Sequence, residues 1–161
     1  MKPLHYILSL YFITLSLCAQ TQYKAKVVGI KDGDTIVVLD SLNNQTTLRL
    51  AEVDCPEKKQ AFGSRAKQFT SDEVYLKTIT YTVYDTDRYG RTIAQVYYDK
   101  GKYLSAEIIK AGMGWHYKKY SKSIQLAKQE EEAKANKLGL WIDPNPVYPS
   151  DFRKMKAGQF P

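Results

Sequence analysis

A small five-stranded β-barrel with three α-helices is the fold class that this sequence predicts. Three observations support it: five short segments have strand patterns, a helical segment separates the third from the fourth, and two helical segments follow the fifth. The chain has 161 residues, enough for one domain, and 43% of them are apolar, enough for a core. An apolar share of this size excludes a wholly disordered chain.

The first 19 residues are set apart from the fold because they have the pattern of a secretory signal peptide. Lys2 precedes a mostly apolar, uncharged stretch, and the small residue Ala19 marks the expected cut. The apolar stretch is shorter than the roughly 20 residues that a membrane-spanning helix needs. We therefore expect export, to the periplasm or the medium. The alternative is a lipoprotein anchored to a membrane through Cys18, which the bulky Leu17 before that cysteine makes the second choice.

Five segments after the leader have strand patterns. The first, Tyr23–Ile30, alternates between apolar and lysine side chains, which is typical of a half-buried strand. The turn cluster at 40–45 separates the next two strands, so the first three form a meander. The Tyr89-Gly90 turn joins the last two as a hairpin. The second to fifth strands are expected at Thr35–Leu39, Thr46–Ala51, Ile79–Tyr84 and Thr92–Tyr98.

Three segments favour helices because they lack internal proline and end near glycine or in helix-favouring residues. They are Phe62–Leu76, Leu104–Lys110 and Ser121–Lys137. The acidic run Glu130–Glu132 in the third is expected on a solvated face. No repeat or linker divides residues 20–142, which we take as one domain. A proline-containing tail, 143–161, follows and is expected to be poorly ordered.

This order of elements describes an OB-fold, a fold that binds oligonucleotides or oligosaccharides but settles no function by itself. Lys and Arg total 24 against 17 Asp and Glu, a net charge of +7. Such a balance favours anionic partners, or it only keeps the chain in solution. Beyond the leader the chain has one cysteine, Cys55, and one histidine, His116. A disulfide within the domain is therefore excluded and a zinc site is disfavoured; we expect His116 on the surface or in a loop.

Three polar clusters follow the ends of predicted strands: DGDT at 32–35, RLAEVDCPE at 49–57 and DRYGR at 87–91. Taken singly, they fit a tight turn, a strand that ends at a proline, and a hairpin turn. Together they offer a coherent chemistry. Two carboxylates and a backbone carbonyl suit Ca²⁺, a third carboxylate could activate a water, and two arginines could bind a phosphodiester.

These clusters, with KLGLW at 137–141, resemble the staphylococcal nuclease family of secreted Ca²⁺-dependent nucleases. The resemblance extends from about Tyr23 to Trp141, nearly the whole domain. It implies an exported, monomeric nuclease that uses one Ca²⁺ to hydrolyse DNA and RNA and that leaves 3′-phosphate ends. The alternative is a non-catalytic OB-fold module that only binds nucleic acid. The full set of charged site residues argues against that alternative.

The resemblance also implies the roles of single residues. Asp34 and Asp54 match the Ca²⁺ ligands, and Cys55 matches a ligand that acts through its backbone carbonyl. Arg49 and Arg91 match the phosphate-binding arginines, and Glu57 matches the carboxylate assigned as general base. The matches to substrate-contacting positions are Arg88, Tyr89 and Tyr120, with Tyr117 as a looser match.

Two departures from the family pattern bear on the site. The segment Lys58–Gly63 is shorter than the loop of the type enzyme, which borders the site. Glu52 stands where a small residue is common, and the sequence gives no reason for it.

Overall fold

The computed structural model describes residues 21–155, and its elements follow the predicted order. The expected leader, 1–19, and the end of the expected tail, 156–161, lie outside the described residues. In chain order the elements are β1 (Gln22–Asp32), β2 (Thr35–Leu39), β3 (Gln45–Leu50), β4 (Val53–Asp54), α1 (Gly63–Val74), β5 (Thr78–Thr86), β6 (Thr92–Tyr98), β7 (Lys102–Tyr103), α2 (Leu104–Lys110), β8 (Trp115–His116), α3 (Ile124–Ala135), a 3₁₀ helix (Gly139–Ile142) and α4 (Pro149–Phe152). Within residues 21–155, no helix is long and apolar enough to cross a membrane.

Five strands close into the predicted barrel. The long first strand, β1, pairs antiparallel with both β2 and β5, and it can do so because two irregularities in its register bend it. Strand β2 pairs with β3, and β5 pairs with β6. A parallel pairing of β3 with β6 then closes the barrel, with Leu48 opposite Thr92 and Arg49 opposite Ile93. The expected five-stranded OB-fold is confirmed.

The core lies inside the barrel and beneath the helices. Alternation along β3 buries Leu48 and Leu50 and turns Arg49 out of the core. Helix α1 adds Ala66 to the core, and α2 adds Ile108. The barrel thus provides a rigid support on which the strand ends hold the polar clusters.

Two short strands that the sequence pattern does not reveal extend the architecture. Strand β4 pairs antiparallel with β8, with Val53 opposite His116 and Asp54 opposite Trp115. Two-residue strands carry no periodicity, so only the tertiary fold discloses them. This pairing matters because it fixes the backbone of Asp54.

The expectation of a poorly ordered tail is wrong for the part of the tail that the structure describes. We call residues 143–155 the C-terminal segment. It forms the fourth helix, α4, where three helices were predicted, and it buries Pro149 and Phe152. The prolines that suggested disorder instead fit an extended chain packed on the domain, and Pro149 occupies the first turn of α4, where a proline is tolerated.

Candidate active site

Three strand ends bring two carboxylates and an arginine together. Asp34 lies between β1 and β2, Arg49 in β3, and Asp54 in β4. Nη2 of Arg49 lies 3.1 Å from Oδ2 of Asp34 and 2.9 Å from Oδ1 of Asp54. The Arg49 side chain is only 12% exposed, and its Nη1 also donates to the carbonyls of Leu50 and Val53, both at 2.8 Å. Arg49 therefore holds the two acidic residues and the turn between β3 and β4 in one arrangement.

Gly33 explains why the first motif has a glycine between two aspartates. A Cβ at this position would lie 2.8 Å from the Cβ atoms of both Cys55 and Ala66, closer than side chains approach. The carbonyl of Gly33 accepts a 2.6 Å hydrogen bond from Thr70 of α1. Because the turn packs this closely, Asp34 reaches Cys55, whose backbone N–H donates to Oδ2 of Asp34 at 2.8 Å.

We call the cluster of Asp32, Asp34, Asp54 and Arg49 the acidic centre. Its single arginine does not balance the negative charge of its three carboxylates. Burial, and then repulsion from Asp34, raises the pKa of Asp54 to about 6 even though Arg49 opposes the shift. Burial and Asp34 likewise raise the pKa of Asp32 to about 6. Burial alone would lower the pKa of Arg49, but Asp34 and Asp54 outweigh it and raise that pKa. One arginine thus faces three carboxylates.

An unpaired oxygen marks where further positive charge would fit. Oδ2 of Asp54 is buried and has no hydrogen-bond partner. Such an atom is costly in a folded protein unless it serves a ligand. Carboxylate oxygens are the donors that Ca²⁺ prefers. No group of three or more His, Cys, Asp or Glu side chains within residues 21–155 is arranged as a complete metal cage. A Ca²⁺ here would need Asp34, Asp54, a main-chain oxygen and water together.

The hairpin turn between β5 and β6 holds the second arginine. Asp87 accepts from the backbone N–H groups of Tyr89 and Arg91, which shapes the turn. Its other oxygen, Oδ2, accepts from Nε and Nη2 of Arg91, both at 2.7 Å. Nη1 of Arg91 reaches Oγ1 of Thr35 at 3.3 Å, and Thr35 contacts Asp34. A single hydroxyl therefore links Arg91 to the acidic centre.

Glu57 lies in the loop after β4, more open than the acidic centre. Its side chain is 38% exposed, and its Oε1 accepts from Nη1 of Arg153 in the C-terminal segment. The backbone N–H of Glu57 donates to the side-chain oxygen of Gln60 at 3.0 Å. The short loop predicted after Glu57 is tight: a Cβ at Gly63 would lie 2.0 Å from the Glu57 carbonyl.

An aromatic groove runs beside the acidic centre. Its lining includes Arg91, Tyr84, Glu52, Tyr117 and Tyr120. Tyr117 and Tyr120 meet edge to face with centroids 4.9 Å apart, and Tyr120 is 68% exposed. Exposed tyrosine faces are suited to stacking on bases.

Arg88 and Tyr89, the other two expected substrate contacts, lie at the tip of the hairpin turn. The guanidinium of Arg88 lies 5.0 Å from the centroid of the Tyr89 ring, and Tyr89 is well exposed. The guanidinium of Arg91 also lies near that ring, at 5.6 Å. The structure thus places these residues next to Arg91, on the turn rather than in the acidic centre.

The side chain of Cys55 has a structural environment. It is buried against the glycine turn, and burial, with Asp34 as the next cause, raises the pKa of its thiol. A protonated, buried thiol is a poor nucleophile. This environment fits the expectation that Cys55 contributes its backbone and not its sulfur.

Two expectations about nearby residues are wrong. His116 is buried in β8 rather than at the surface, and Glu130 is 2% exposed rather than solvated. Glu130 accepts from the backbone N–H of His116 at 3.0 Å and pairs with Lys118 at 2.7 Å and Lys134 at 3.2 Å. The charge run concealed this role because the partners of Glu130 come from β8 and the residues after it as well as from its own helix.

The structure supplies the reason for Glu52 that the sequence lacks. Oε1 of Glu52 accepts from Ser121 at 2.7 Å, and Oε2 accepts from Tyr103 at 2.8 Å and Gln95 at 3.0 Å. The oxygen of Ser121 lies 2.8 Å from Nε2 of His116. Burial raises the pKa of Glu52, but these hydrogen bonds outweigh it and lower the pKa. Glu52 therefore ties the floor of the aromatic groove to β8.

Two site residues escaped the sequence reasoning. Asp32 has no predicted role in the site, although it stands in the same DGD motif as Asp34, and two aspartates flanking a glycine are a signal for a carboxylate pair. Arg153 lies in the expected disordered tail, and no local pattern connects it with Glu57, far away in sequence.

The chain is similar to known nucleases. The family model for staphylococcal nuclease homologues matches residues 47–143. A Haemophilus influenzae protein named "Uncharacterized endonuclease" is 43% identical over 149 residues, which cover 92% of this chain and 83% of that protein. The "Micrococcal nuclease" of Shigella flexneri is 40% identical over 153 residues, covering 88% of this chain and 87% of the relative.

A plant relative covers less of its own length. The "Staphylococcal-like nuclease" of Arabidopsis thaliana is 39% identical over 111 residues, which cover 69% of this chain and 34% of the plant protein.

Proposed function

The chain belongs to the staphylococcal nuclease family and is a nuclease, and we propose that it hydrolyses both DNA and RNA with the help of one Ca²⁺. The observation that carries the metal proposal is the acidic centre, where Asp54 keeps a buried oxygen without a partner. Asp34 and Asp54 would hold the ion, with the backbone carbonyl of Cys55. When bound, Ca²⁺ would offset the carboxylate charges and the charge that develops on the phosphate.

The remaining chemistry belongs to the chain's own residues. The Arg91 side chain is 30% exposed, and its guanidinium would bind a phosphate oxygen. Nε of Arg49 has no hydrogen-bond partner among residues 21–155, so this donor is left for the same phosphate. Both contacts would strengthen as negative charge develops on the phosphorus oxygens in the transition state.

Glu57 would act as the general base. It would take a proton from a water whose oxygen forms the new bond to phosphorus, while the bond from phosphorus to the 5′-oxygen breaks. The leaving 5′-oxygen gains a proton, and the products are a 3′-phosphate and a 5′-hydroxyl end. Glu57 is open to solvent and one of its oxygens is unused by Arg153, which supports this role.

The aromatic groove would hold the nucleotide next to the cleaved bond. Tyr117 and Tyr120 offer stacking surfaces that accept any base, which supports a substrate range that includes DNA and RNA. Arg88 and Tyr89, on the exposed hairpin turn, would contact a neighbouring phosphate. A module that only bound nucleic acid would gain nothing from the three carboxylates of the acidic centre, two of them buried, beside one arginine, because such charge repels a polyanion.

The deciding experiment is digestion of single-stranded and double-stranded DNA and of RNA in Ca²⁺, in Mg²⁺ and in a chelator. Activity is expected with Ca²⁺, a loss on chelation, and weak activity with Mg²⁺, which is smaller and demands stricter octahedral geometry. End-labelling of the products before and after phosphatase treatment should identify 3′-phosphates. Equal rates in Mg²⁺ and Ca²⁺ would contradict the metal assignment.

The proposal includes export and a monomeric state. The leader pattern at 1–19 supports cleavage after Ala19, with residues 20–142 as the nuclease domain. The N-terminal sequence of the protein recovered from cells would test the cut, and lipid attached to Cys18 would favour the anchored alternative. Size-exclusion chromatography with light scattering would test the monomer.

A further inference from the structure

We infer that Arg153, in the C-terminal segment, is a positioning residue for the carboxylate of Glu57. This inference rests on the role of Glu57 proposed above. The match to the family model ends at residue 143, and this inference assigns a role to a residue beyond that point.

The side chain of Gln60 fastens the C-terminal segment to the loop that carries Glu57. Gln60 is buried, its oxygen accepts from the backbone N–H of Glu57 at 3.0 Å, and its amide nitrogen donates to the carbonyl of Val147. One side chain therefore fixes the Glu57 backbone and the C-terminal segment in the same place. A buried amide with both ends used specifies position as well as stability.

Apolar contacts seat the same segment. Phe152 is buried and lines a small apolar space together with Phe62, Trp115 and Val147. The ring of Tyr148 lies 5.2 Å from that of Trp115, centroid to centroid. Because Trp115 belongs to β8, which pairs with the strand of Asp54, the segment docks on the frame of the acidic centre itself.

Arg153 follows Phe152 directly and reaches Glu57. Its Nη1 donates to Oε1 of Glu57, whereas Oε2 has no hydrogen bond within residues 21–155. The free oxygen can take a proton while the bound one fixes the orientation of the group.

The ion pair between Arg153 and Glu57 fixes the position of the Glu57 carboxylate and adds little to the stability of the fold. The side chains of Arg153 and Glu57 are 51% and 38% exposed, and pairs of that kind contribute little to folding. Without a partner, Glu57 would spread over several side-chain rotamers on an open loop. Holding a general base in one geometry can change a rate by far more than its contribution to stability.

The chain offers a matched control for Arg153. Lys154 is the next residue, carries the same charge and is 76% exposed; among residues 21–155 it pairs only with Asp151, three residues before it. Lys154→Ala removes one positive charge from the same segment without touching Glu57. It therefore separates a general loss of attraction for nucleic acid from a specific effect on the carboxylate.

The first test compares Arg153→Ala, Arg153→Lys and Lys154→Ala in the full chain. Arg153→Ala is expected to lower kcat about 10-fold with KM within about twofold, because the base is misplaced while the groove is intact. Arg153→Lys should recover most of the loss, and Lys154→Ala should behave as the wild type. Wild-type kcat in Arg153→Ala would overturn the inference, as would an equal loss in Lys154→Ala.

The second test asks whether Arg153 acts through Glu57. In a Glu57→Gln background, Arg153→Ala should cause no further loss of kcat, because the group that it positions has lost its function. Independent, multiplying losses would overturn the positioning role and would indicate a direct phosphate contact.

Hydrogen exchange separates this inference from the proposed nuclease chemistry. The amides of Gln60 and Gly63 bond within the loop, to Glu57 and Gln60. Arg153→Ala should make their exchange about threefold faster or more, and Lys154→Ala should not. If the wild type cleaved no nucleic acid, the proposed nuclease function would be wrong, but the exchange rates would still show whether Arg153 holds the loop of Glu57. Unchanged exchange in Arg153→Ala would overturn the inference that Arg153 positions Glu57.

Discussion

Two buried carboxylates adjoin the small sheet of β4 and β8, and they differ in how their charges are balanced: Asp54 belongs to β4, and Glu130 of α3 accepts from the backbone of β8. Glu130, held to β8 through His116, faces two lysines and a backbone N–H. Burial raises its pKa, but Lys118 and Lys134 outweigh it and lower the pKa. In the acidic centre, Asp54 of β4 shares one arginine and leaves an oxygen unpaired.

This difference separates a structural cluster from a functional one. A buried carboxylate with all its partners stabilises the fold. A buried carboxylate that lacks them has uncompensated negative charge, which a bound cation can neutralise. Substitutions in the two clusters should therefore have opposite effects on activity and stability.

The largest effect is expected from Asp54→Asn. The amide cannot supply the negative charge that holds the metal, so turnover should fall about 10³-fold, several kcal/mol of transition-state stabilisation. Because the pKa of Asp54 is raised, the folded state favours the neutral form at this position, and the melting temperature in chelator should be unchanged or higher. DNA digestion and thermal unfolding measure the two quantities. Asp72→Asn on the exposed face of α1 is the charge-matched control, and a large loss of stability only in Asp54→Asn would contradict the account.

The two arginines of the active site differ in what each one holds in place. Arg49→Lys and Arg91→Lys should each lower turnover about 10²-fold, because lysine keeps the charge but loses the planar fork. Only Arg49→Lys should also destabilise the fold, since Arg49 alone holds buried carboxylates and two backbone carbonyls. Initial rates and urea denaturation of both variants test this. Wild-type rates in both would show that neither arginine contacts the reacting phosphate.

Glu130→Gln should reverse the pattern of Asp54→Asn. We expect a loss of about 2 kcal/mol in the free energy of unfolding, less than for a fully buried pair because both lysines can reach water. Turnover of the folded protein should stay near that of the wild type. Because the pKa of Glu130 is lowered, its contribution is present above the unfolded value of 4.5 and disappears as the pH falls through the folded value. The difference between variant and wild type should therefore narrow below pH 4.5, and a constant difference would contradict the pairing.

The smallest effect is expected from Cys55→Ala. The backbone carbonyl remains, so activity should stay within about threefold of wild type, while loss of buried sulfur contacts should cost about 1 kcal/mol of stability. The rate with DNA and the urea midpoint measure both. Activity as low as that of Glu57→Gln in a folded protein would mean that the thiol takes part in the reaction.

The barrel was predictable because its strands carry their own signals. The limits of Thr35–Leu39, Thr92–Tyr98 and Leu104–Lys110 agree with the structure residue for residue, since each segment has a clear pattern and a turn or glycine near its end. The β4–β8 pair and α4 were missed because two to four residues show no period. Their formation depends on partners far away in the chain.

The predicted site residues came from motifs, and the unpredicted ones came from tertiary contacts. The structure brings Asp34, Arg49 and Asp54 together as the motifs suggested. The sequence does not show how many ion-pair and hydrogen-bond partners surround each charged side chain in the folded protein. Glu130, expected on a solvated face, is buried with two lysines and a backbone N–H, whereas Asp54 keeps one oxygen unpaired.

The parallel pairing of β3 with β6 has a consequence for when the chain becomes active. Leu48 and Thr92 lie far apart in the sequence, and contacts of this kind have a loop-closure cost that slows folding. Arg49 lies in this seam, opposite Ile93, and the hairpin that carries Arg91 leads straight into it. A chain that has made its first hairpins but not this seam holds the two arginines apart. We therefore expect a chain that has not yet formed the β3–β6 pairing to have no working site.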